Sequence, residues 1–173
     1  TFLKGKFNGI TEFLAFKTRS INEVMFLFNK ELSVSPITTH IPLNKVAQKI
    51  KKKIIISKIN SINNFYKKFL GFKPRIAVTG LNPHCETFKG KDIEKTEILP
   101  AIRILKKKKI KVLGPYSADT IFLKENRKKF NIIVGMYHDQ VLGPMKTIFG
   151  FDAINITIGL PFIRITPDHG PNY

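Results

Sequence analysis

Apolar positions along the chain recur with two periods, one helical and one strand-like. Residues 21–28 (Ile-Asn-Glu-Val-Met-Phe-Leu-Phe) carry apolar side chains at helical spacing behind Ser20, whose hydroxyl suits an N-cap, and predict a helix. Residues 32–39 are short, alternating and β-prone, and predict a strand that reaches a loop at His40. Pro42, Leu43 and Asn44 restart the chain. A lysine-rich helical pattern follows to Leu70, where Gly71 supplies a stop and Pro74 prevents continuation. Asn60, Asn63 and Asn64 weaken this stretch and suggest a division into two helices.

Residues 75–80 form the clearest buried-strand pattern. Residues 94–108 predict a helix with Ile98, Ala101, Ile102 and Leu105 on one face. A strand at 110–113 is broken by Gly114-Pro115, a helix is predicted over 118–129, and two more strands are predicted at 132–136 and 153–158. Strands separated by helices of this length predict one α/β domain over residues 1–173, a mostly parallel sheet with helices on both faces.

Composition narrows the class. The length of 173 residues suits one domain, and Cys85 is the only cysteine, which excludes a disulfide framework and a cysteine-rich zinc module. No apolar run approaches the roughly 18–20 residues of a membrane span, and the first residues lack a signal-peptide pattern. The expectation is a cytoplasmic protein without a membrane segment. The chain starts without Met and stops inside the run Asp168-His169-Gly170-Pro171-Asn172-Tyr173, so it reads as a fragment.

The formal charge of +18 directs attention to nucleic acid or another anionic partner. Arginine, the residue suited to bidentate contacts with phosphates and bases, occurs only at Arg19, Arg75, Arg103, Arg127 and Arg164. The lysines cluster on predicted helices, at 49–53, 106–109 and 124–129. A solvated lysine surface is therefore favoured over a nucleic-acid footprint, and attraction of phosphorylated small molecules follows from either.

The four histidines follow strand patterns or sit in Gly/Pro loops, at Thr39-His40-Ile41-Pro42, Asn82-Pro83-His84-Cys85, Tyr137-His138-Asp139-Gln140 and Asp168-His169-Gly170. In open α/β sheets ligands bind beyond the carboxyl ends of the strands. Neutral imidazole is a common metal ligand, and three histidines with an open position make a catalytic zinc set. Taken singly, His40, His84 and His138 are loop histidines as readily as ligands; their shared placement favours the joint reading. Asp139 suits either an acid–base role or a helix N-cap. Arg164 follows the apolar run Leu160-Pro161-Phe162-Ile163, where a buried guanidinium would need an anion, and Asn155 needs a polar partner inside an apolar strand. Lys146 joins them as a candidate cation. Neither G-x-G-x-x-G nor a P-loop occurs. Gly114 to Thr120 reads either as a phosphate-binding helix start or as an ordinary capped one.

Together, Gly80-Leu81-Asn82-Pro83-His84, Gly114-Pro115 with Ala118-Asp119-Thr120, Met136-Tyr137-His138-Asp139-Gln140 and the run from Asn155 to Arg164 resemble the 4-hydroxythreonine-4-phosphate dehydrogenase family, over essentially the whole chain. Thr38 to Leu43 and Asp168-His169-Gly170 are similar to further motifs of that family, in the same order. The resemblance implies one domain of a two-domain fold like that of isocitrate and isopropylmalate dehydrogenases. It implies NAD- or NADP-linked oxidation of 4-phosphooxy-L-threonine, then decarboxylation to 3-amino-2-oxopropyl phosphate in pyridoxal phosphate biosynthesis. By the same resemblance His40, His84 and His138 match metal ligands for zinc, magnesium or cobalt. Thr11, Lys146, Asn155 and Arg164 match substrate-binding positions, and Asp119 and Asp139 match acidic active-site positions. No residue here is matched to the nicotinamide cofactor. The implied partner is a second copy, with metal ligands drawn from both subunits.

The chain departs from that pattern in three places. Ile10 stands where the family has a substrate-contacting histidine, the loop from Cys85 to Gly90 is shorter and poorer in glycine, and the ending diverges at Gly170. Family members are also about twice as long. The alternative reading is an inactive metal-binding or dimerising remnant of the same enzyme, and a nucleic-acid-binding module rests on charge alone.

Overall fold

The computed structural model describes residues 7, 10–20, 23–85 and 92–168. Among them, seven strands form one sheet in the order β4-β3-β5-β2-β1-β6-β7. The strands are β1 (Val24–Phe28), β2 (Ser33–Thr38), β3 (Ile76–Thr79), β4 (Val112–Tyr116), β5 (Ile132–Tyr137), β6 (Ile154–Ile158) and β7 (Arg164–Pro167). β2, β5, β3 and β4 pair in parallel, whereas β1 is antiparallel to both β2 and β6, and β7 to β6. Only β1 and β7 therefore run against the other five, which is the mostly parallel α/β sheet the sequence predicts.

Strand β1 overturns the helix expected at residues 21–28. Val24 and Phe26 pack into one hydrophobic layer and Leu27 into the other. A strand covered on both faces reads as a continuous apolar run, which also matches helical spacing by chance. Ile21 and Asn22 lie outside the described residues. Pro36 sits in the central strand β2 without an N–H to donate. The register Leu27↔Val34, continued, would set Met25 opposite Pro36. The Ser35 hydroxyl donates to the Met25 carbonyl at 2.7 Å instead, so that acceptor keeps a partner.

One face of the sheet is covered by α3 (Lys52–Phe65) and α4 (Leu99–Lys107), which together with Ile98 of the turn before α4 bury Ile55, Ile59, Ile62, Ile102 and Leu105 against Phe26, Ile76, Val78, Ile132, Val134 and Ile156. The other is covered by α7 (His138–Phe149), whose Val141, Leu142 and Met145 meet Leu27, Val34, Ala77 and Ile133. Before α3, the lysine-rich stretch divides at Ile50, after the short α2 (Val46–Lys49), and not among the asparagines. A helix α1 (Ile10–Thr18) precedes the sheet. Gly71 ends the lysine-rich stretch at φ 78°, as its position predicts.

Other boundaries shift. The strand expected to break at Gly114-Pro115 runs through it, with a cis bond between them. Strand β4 lies at the sheet edge, where proline is tolerated. Gly114 has φ 133°, and a Cβ there would lie 2.3 Å from the Val78 carbonyl oxygen. Glycine is needed on both counts. The helix expected over 118–129 is two turns, α5 (Ala118–Ile121) and α6 (Lys124–Arg127). The runs of lysine at 106–109 and at Lys124, Lys128 and Lys129 are exposed, as a solvated surface requires. No helix of the described residues is long and apolar enough to cross a membrane.

Candidate active site

The carboxyl ends of the four parallel strands carry the candidate residues. His40 follows β2, His84 follows β3, Asp119 follows β4, and His138 begins α7 directly after β5. Read across the sheet, the order is Asp119, His84, His138, His40. Adjacent strands lie roughly 4.8 Å apart, so His138 is carried between the other two histidines.

The imidazoles of His40 and His138 are neighbours, with ring centroids 5.8 Å apart and planes inclined at 44°. Nδ1 of His40 lies 3.1 Å from Oε1 of Glu12 on α1. This bond holds the Glu12 carboxyl below its usual range and raises the His40 imidazole above its own, in each case against the opposing effect of burial. Nδ1 of His138 lies 2.7 Å from Oδ1 of Asp139, which is exposed at the first turn of α7. Asp139 is thus inside the helix, and the N-cap position belongs to Tyr137.

His84 occupies a left-handed conformation, φ 55°, in the turn Pro83–Cys85. Its Nδ1 lies 3.9 Å from Oδ2 of Asp119, and both side chains are largely exposed. The turn is anchored by the buried Glu94, which accepts the Leu81 and Asn82 N–H groups at 2.8 and 2.7 Å and the Asn82 amide at 3.0 Å. Leu81, Asn82, His84, Asp119, Tyr137 and Gln140 line one open cleft of about 260 Å³. Each of the three histidines therefore turns Nδ1 toward a carboxylate; for His40 and His138, which are at hydrogen-bond distance, this favours the tautomer that ligates through Nε2.

Thr11, Glu12, Thr39, His40, Lys58 and Asn155 line a second, smaller cavity of about 80 Å³. It joins two predicted substrate residues, Thr11 and Asn155, to His40. Oδ1 of Asn155 is buried there without a hydrogen-bond partner among the described residues. Lys58, half-buried on α3, was not singled out by the sequence. Burial pulls its ammonium below the usual range, opposed by the charges of Glu23 and Glu12.

Lys146 and Arg164 do not line that cavity. Lys146 donates to the Asp168 carbonyl at 3.1 Å, with the Asp168 carboxylate 3.7 Å away and the Phe151 ring 5.0 Å off. Arg164 opens β7 opposite Thr157, and its Nη1 donates to the Thr157 hydroxyl at 3.4 Å. No group of three or more His, Cys, Asp or Glu side chains placed to hold a metal occurs among the described residues of one chain. The structure thus brings His40 to His138 and leaves His84 in its own cleft. His169 lies outside the described residues, as does the loop from Glu86 to Lys91.

Glu12, Glu94 and Gln140 are site residues that the sequence reading missed. Glu12 and Gln140 stand beside residues that it singled out, Thr11 and Asp139. Glu94 gave no signal, because a carboxylate that accepts loop amides looks like any helix-start glutamate.

A family model described as "Pyridoxal phosphate biosynthetic protein PdxA" matches residues 3–173. The chain belongs to the PdxA family. It is 46% identical over 168 residues to a 4-hydroxythreonine-4-phosphate dehydrogenase of a Sulfurihydrogenibium species, covering 95% of this chain and 51% of that protein. It is 40% identical over 163 residues to a D-threonate 4-phosphate dehydrogenase of Salmonella typhimurium, covering 94% of this chain and 50% of that one. The crystal structure of 4-hydroxythreonine-4-phosphate dehydrogenase from Klebsiella pneumoniae superposes with a TM-score of 0.84 at 36% identity, over 98% of this chain and 51% of that chain. The chain spans about half the length of the curated relatives it matches. Within this family frame, Ile10, the residue at the expected histidine position, starts α1 and is 53% exposed.

Proposed function

We propose that the chain forms the metal- and substrate-binding half of an NAD- or NADP-linked dehydrogenase acting on 4-phosphooxy-L-threonine. Oxidation of the secondary alcohol gives a β-keto acid, whose loss of CO2 yields 3-amino-2-oxopropyl phosphate for pyridoxal phosphate synthesis in the cytoplasm. The observation that carries this reading is the row of His84, His138 and His40 at the carboxyl ends of adjacent parallel strands, each with Nδ1 toward a carboxylate.

The donor set suits a divalent ion such as zinc, magnesium or cobalt, held by His40, His84 and His138. Such an ion would supply Lewis acidity to the substrate hydroxyl and to the ketone product, and a bound nicotinamide would supply the hydride acceptor. Asp139 and Asp119, each beside one of the histidines, are the side chains placed to act as general base for the hydroxyl proton. Thr11 and Asn155 offer hydroxyl and amide groups from the cavity beside His40. Lys146 and Arg164 supply cations for an anionic substrate, and a phosphate reaching Lys146 takes its ammonium over from Asp168. A homodimer completing the metal site across subunits accords with His84 standing apart from the His40–His138 pair within one chain.

The test is NADH or NADPH formation by the purified chain with the metal and 4-phosphooxy-L-threonine, alongside elemental analysis of wild type and His84→Ala. Metal retention that is lost in the variant, with cofactor reduction, is the expected result. Unchanged metal content in His84→Ala removes the three-histidine site. A second reading, a metal-binding and dimerising unit without turnover, is favoured by Ile10, which cannot supply the hydrogen bond of the histidine expected there. It predicts metal retention with no cofactor reduction.

A further inference from the structure

Gln140 takes no part in the chemistry above, yet it is buried at the junction of two histidine-bearing segments. Its Oε1 accepts the Met136 N–H at 2.7 Å and the Thr79 hydroxyl at 2.9 Å, and its Nε2 donates to the Gly80 carbonyl at 2.9 Å. Met136 lies on β5, two residues before His138. Thr79 ends β3, and Gly80 opens the short path to His84. One amide therefore spans two parallel strands just where each leaves the sheet.

That path is fixed residue by residue. The Gly80 N–H donates to the Tyr116 carbonyl at 2.9 Å, the Leu81 and Asn82 N–H groups to Glu94, and the Cys85 N–H to the Asn82 carbonyl at 3.2 Å. Room for the amide comes from Gly135, where a Cβ would lie 2.4 Å from Val141 Cγ1 and 3.0 Å from Gln140 Oε1. A buried amide with its oxygen and nitrogen both engaged defines one geometry, because any shift leaves a polar group without a partner.

We propose that Gln140 is a positioning residue that fixes the segments bearing His84 and His138 to the rim of the sheet, so that each ring is presented correctly to a metal site shared between two subunits. The proposal rests on the reading of those histidines as metal ligands, whose ring positions must hold within about 0.5 Å. Two substitutions separate positioning from general stability. Gln140→Glu keeps an oxygen for Met136 and Thr79 but removes the donor to Gly80, so it cuts the tie on the His84 side. Thr79→Val removes one bond of the same buried amide and leaves the Gly80 and Met136 bonds in place. Should Gln140→Glu not fold, Gln140→Met buries no charge and removes the whole amide, the donor to Gly80 together with the acceptor for Met136 and Thr79.

The experiment titrates Zn²⁺ into the full chain against a chromophoric chelator and follows amide hydrogen exchange in the metal-free protein. Gln140→Glu is expected to weaken Zn²⁺ binding about tenfold or more, and Thr79→Val by no more than about threefold. Exchange at Leu81 and Asn82 is expected to quicken in the former variant alone. Equal losses of affinity in both variants, or an exchange change spread evenly over the chain, overturn the proposal. If wild type binds no Zn²⁺, the metal reading itself fails. The exchange data then decide by themselves whether Gln140 ties the two segments.

Discussion

Nδ1 of His40 and Oε1 of Glu12 stand 3.1 Å apart across 28 residues of chain, joining α1 to the end of β2. The bond fixes which imidazole nitrogen carries the proton and which way the ring faces. Carboxylates in this position typically contribute 10- to 100-fold in metal affinity. Glu12→Gln, whose amide cannot match the charge, is expected to weaken zinc binding by about tenfold or more. Chelator competition measures it, and an affinity unchanged within about twofold would show that α1 does not serve the centre.

The phenol of Tyr66, buried under Phe26 and Phe72, donates to the Asn131 carbonyl at 3.2 Å. Burial pushes its pKa from 10.0 up to about 12. The folded state thus binds a proton that the unfolded chain releases first. The resulting stability is complete below pH 10 and is lost as the pH rises toward about 12. Over that interval wild type should lose about 2–3 kcal/mol more than Tyr66→Phe. Urea denaturation at a series of alkaline pH values checks this, and parallel curves for the two proteins would refute it.

Gly114→Ala places a methyl on the Val78 carbonyl oxygen at a backbone angle reserved for glycine. Destabilisation of about 3 kcal/mol or more is expected. Gly143→Ala, whose added Cβ meets nothing within 4 Å, is the control expected to stay within about 1 kcal/mol of wild type. Denaturant midpoints distinguish the two.

The exposed lysines of 106–109 and 124–129 give the surface a charge without the guanidinium forks of base readout. Binding of a duplex oligonucleotide is expected to be weak, indifferent to base sequence and abolished by roughly 0.2 M salt. Fluorescence anisotropy tests this. Sequence-selective binding that survives such salt would make the basic surface a nucleic-acid site.

The sequence made the centre of the sheet legible because β3 and β5 are short apolar runs closed by glycine or polar loops. Their histidines were found through position after those strands. Strand β1 was misread because five consecutive apolar residues satisfy both periods, and only the two covering layers decide between them. Helix α7 was missed for the opposite reason, since Gly143 and Pro144 interrupt its pattern while Val141, Leu142 and Met145 still reach the core. The pairing of Lys146 with Asp168, and of His40 with Glu12, joins residues far apart along the chain. Local pattern has no access to such contacts.

Strand β5 is made after β2, β3 and β4, yet it lies between β2 and β3. During synthesis His40 and His84 therefore belong to segments with no direct pairing until residues 132–137 thread between them. A nascent chain halted before Ile132 would hold two incomplete sheets with exposed flanks and no means of aligning its imidazoles. Assembly of the histidine-bearing rim is thus a late event, coupled to closure of the fold's middle, and slow insertion of that one strand would delay both together.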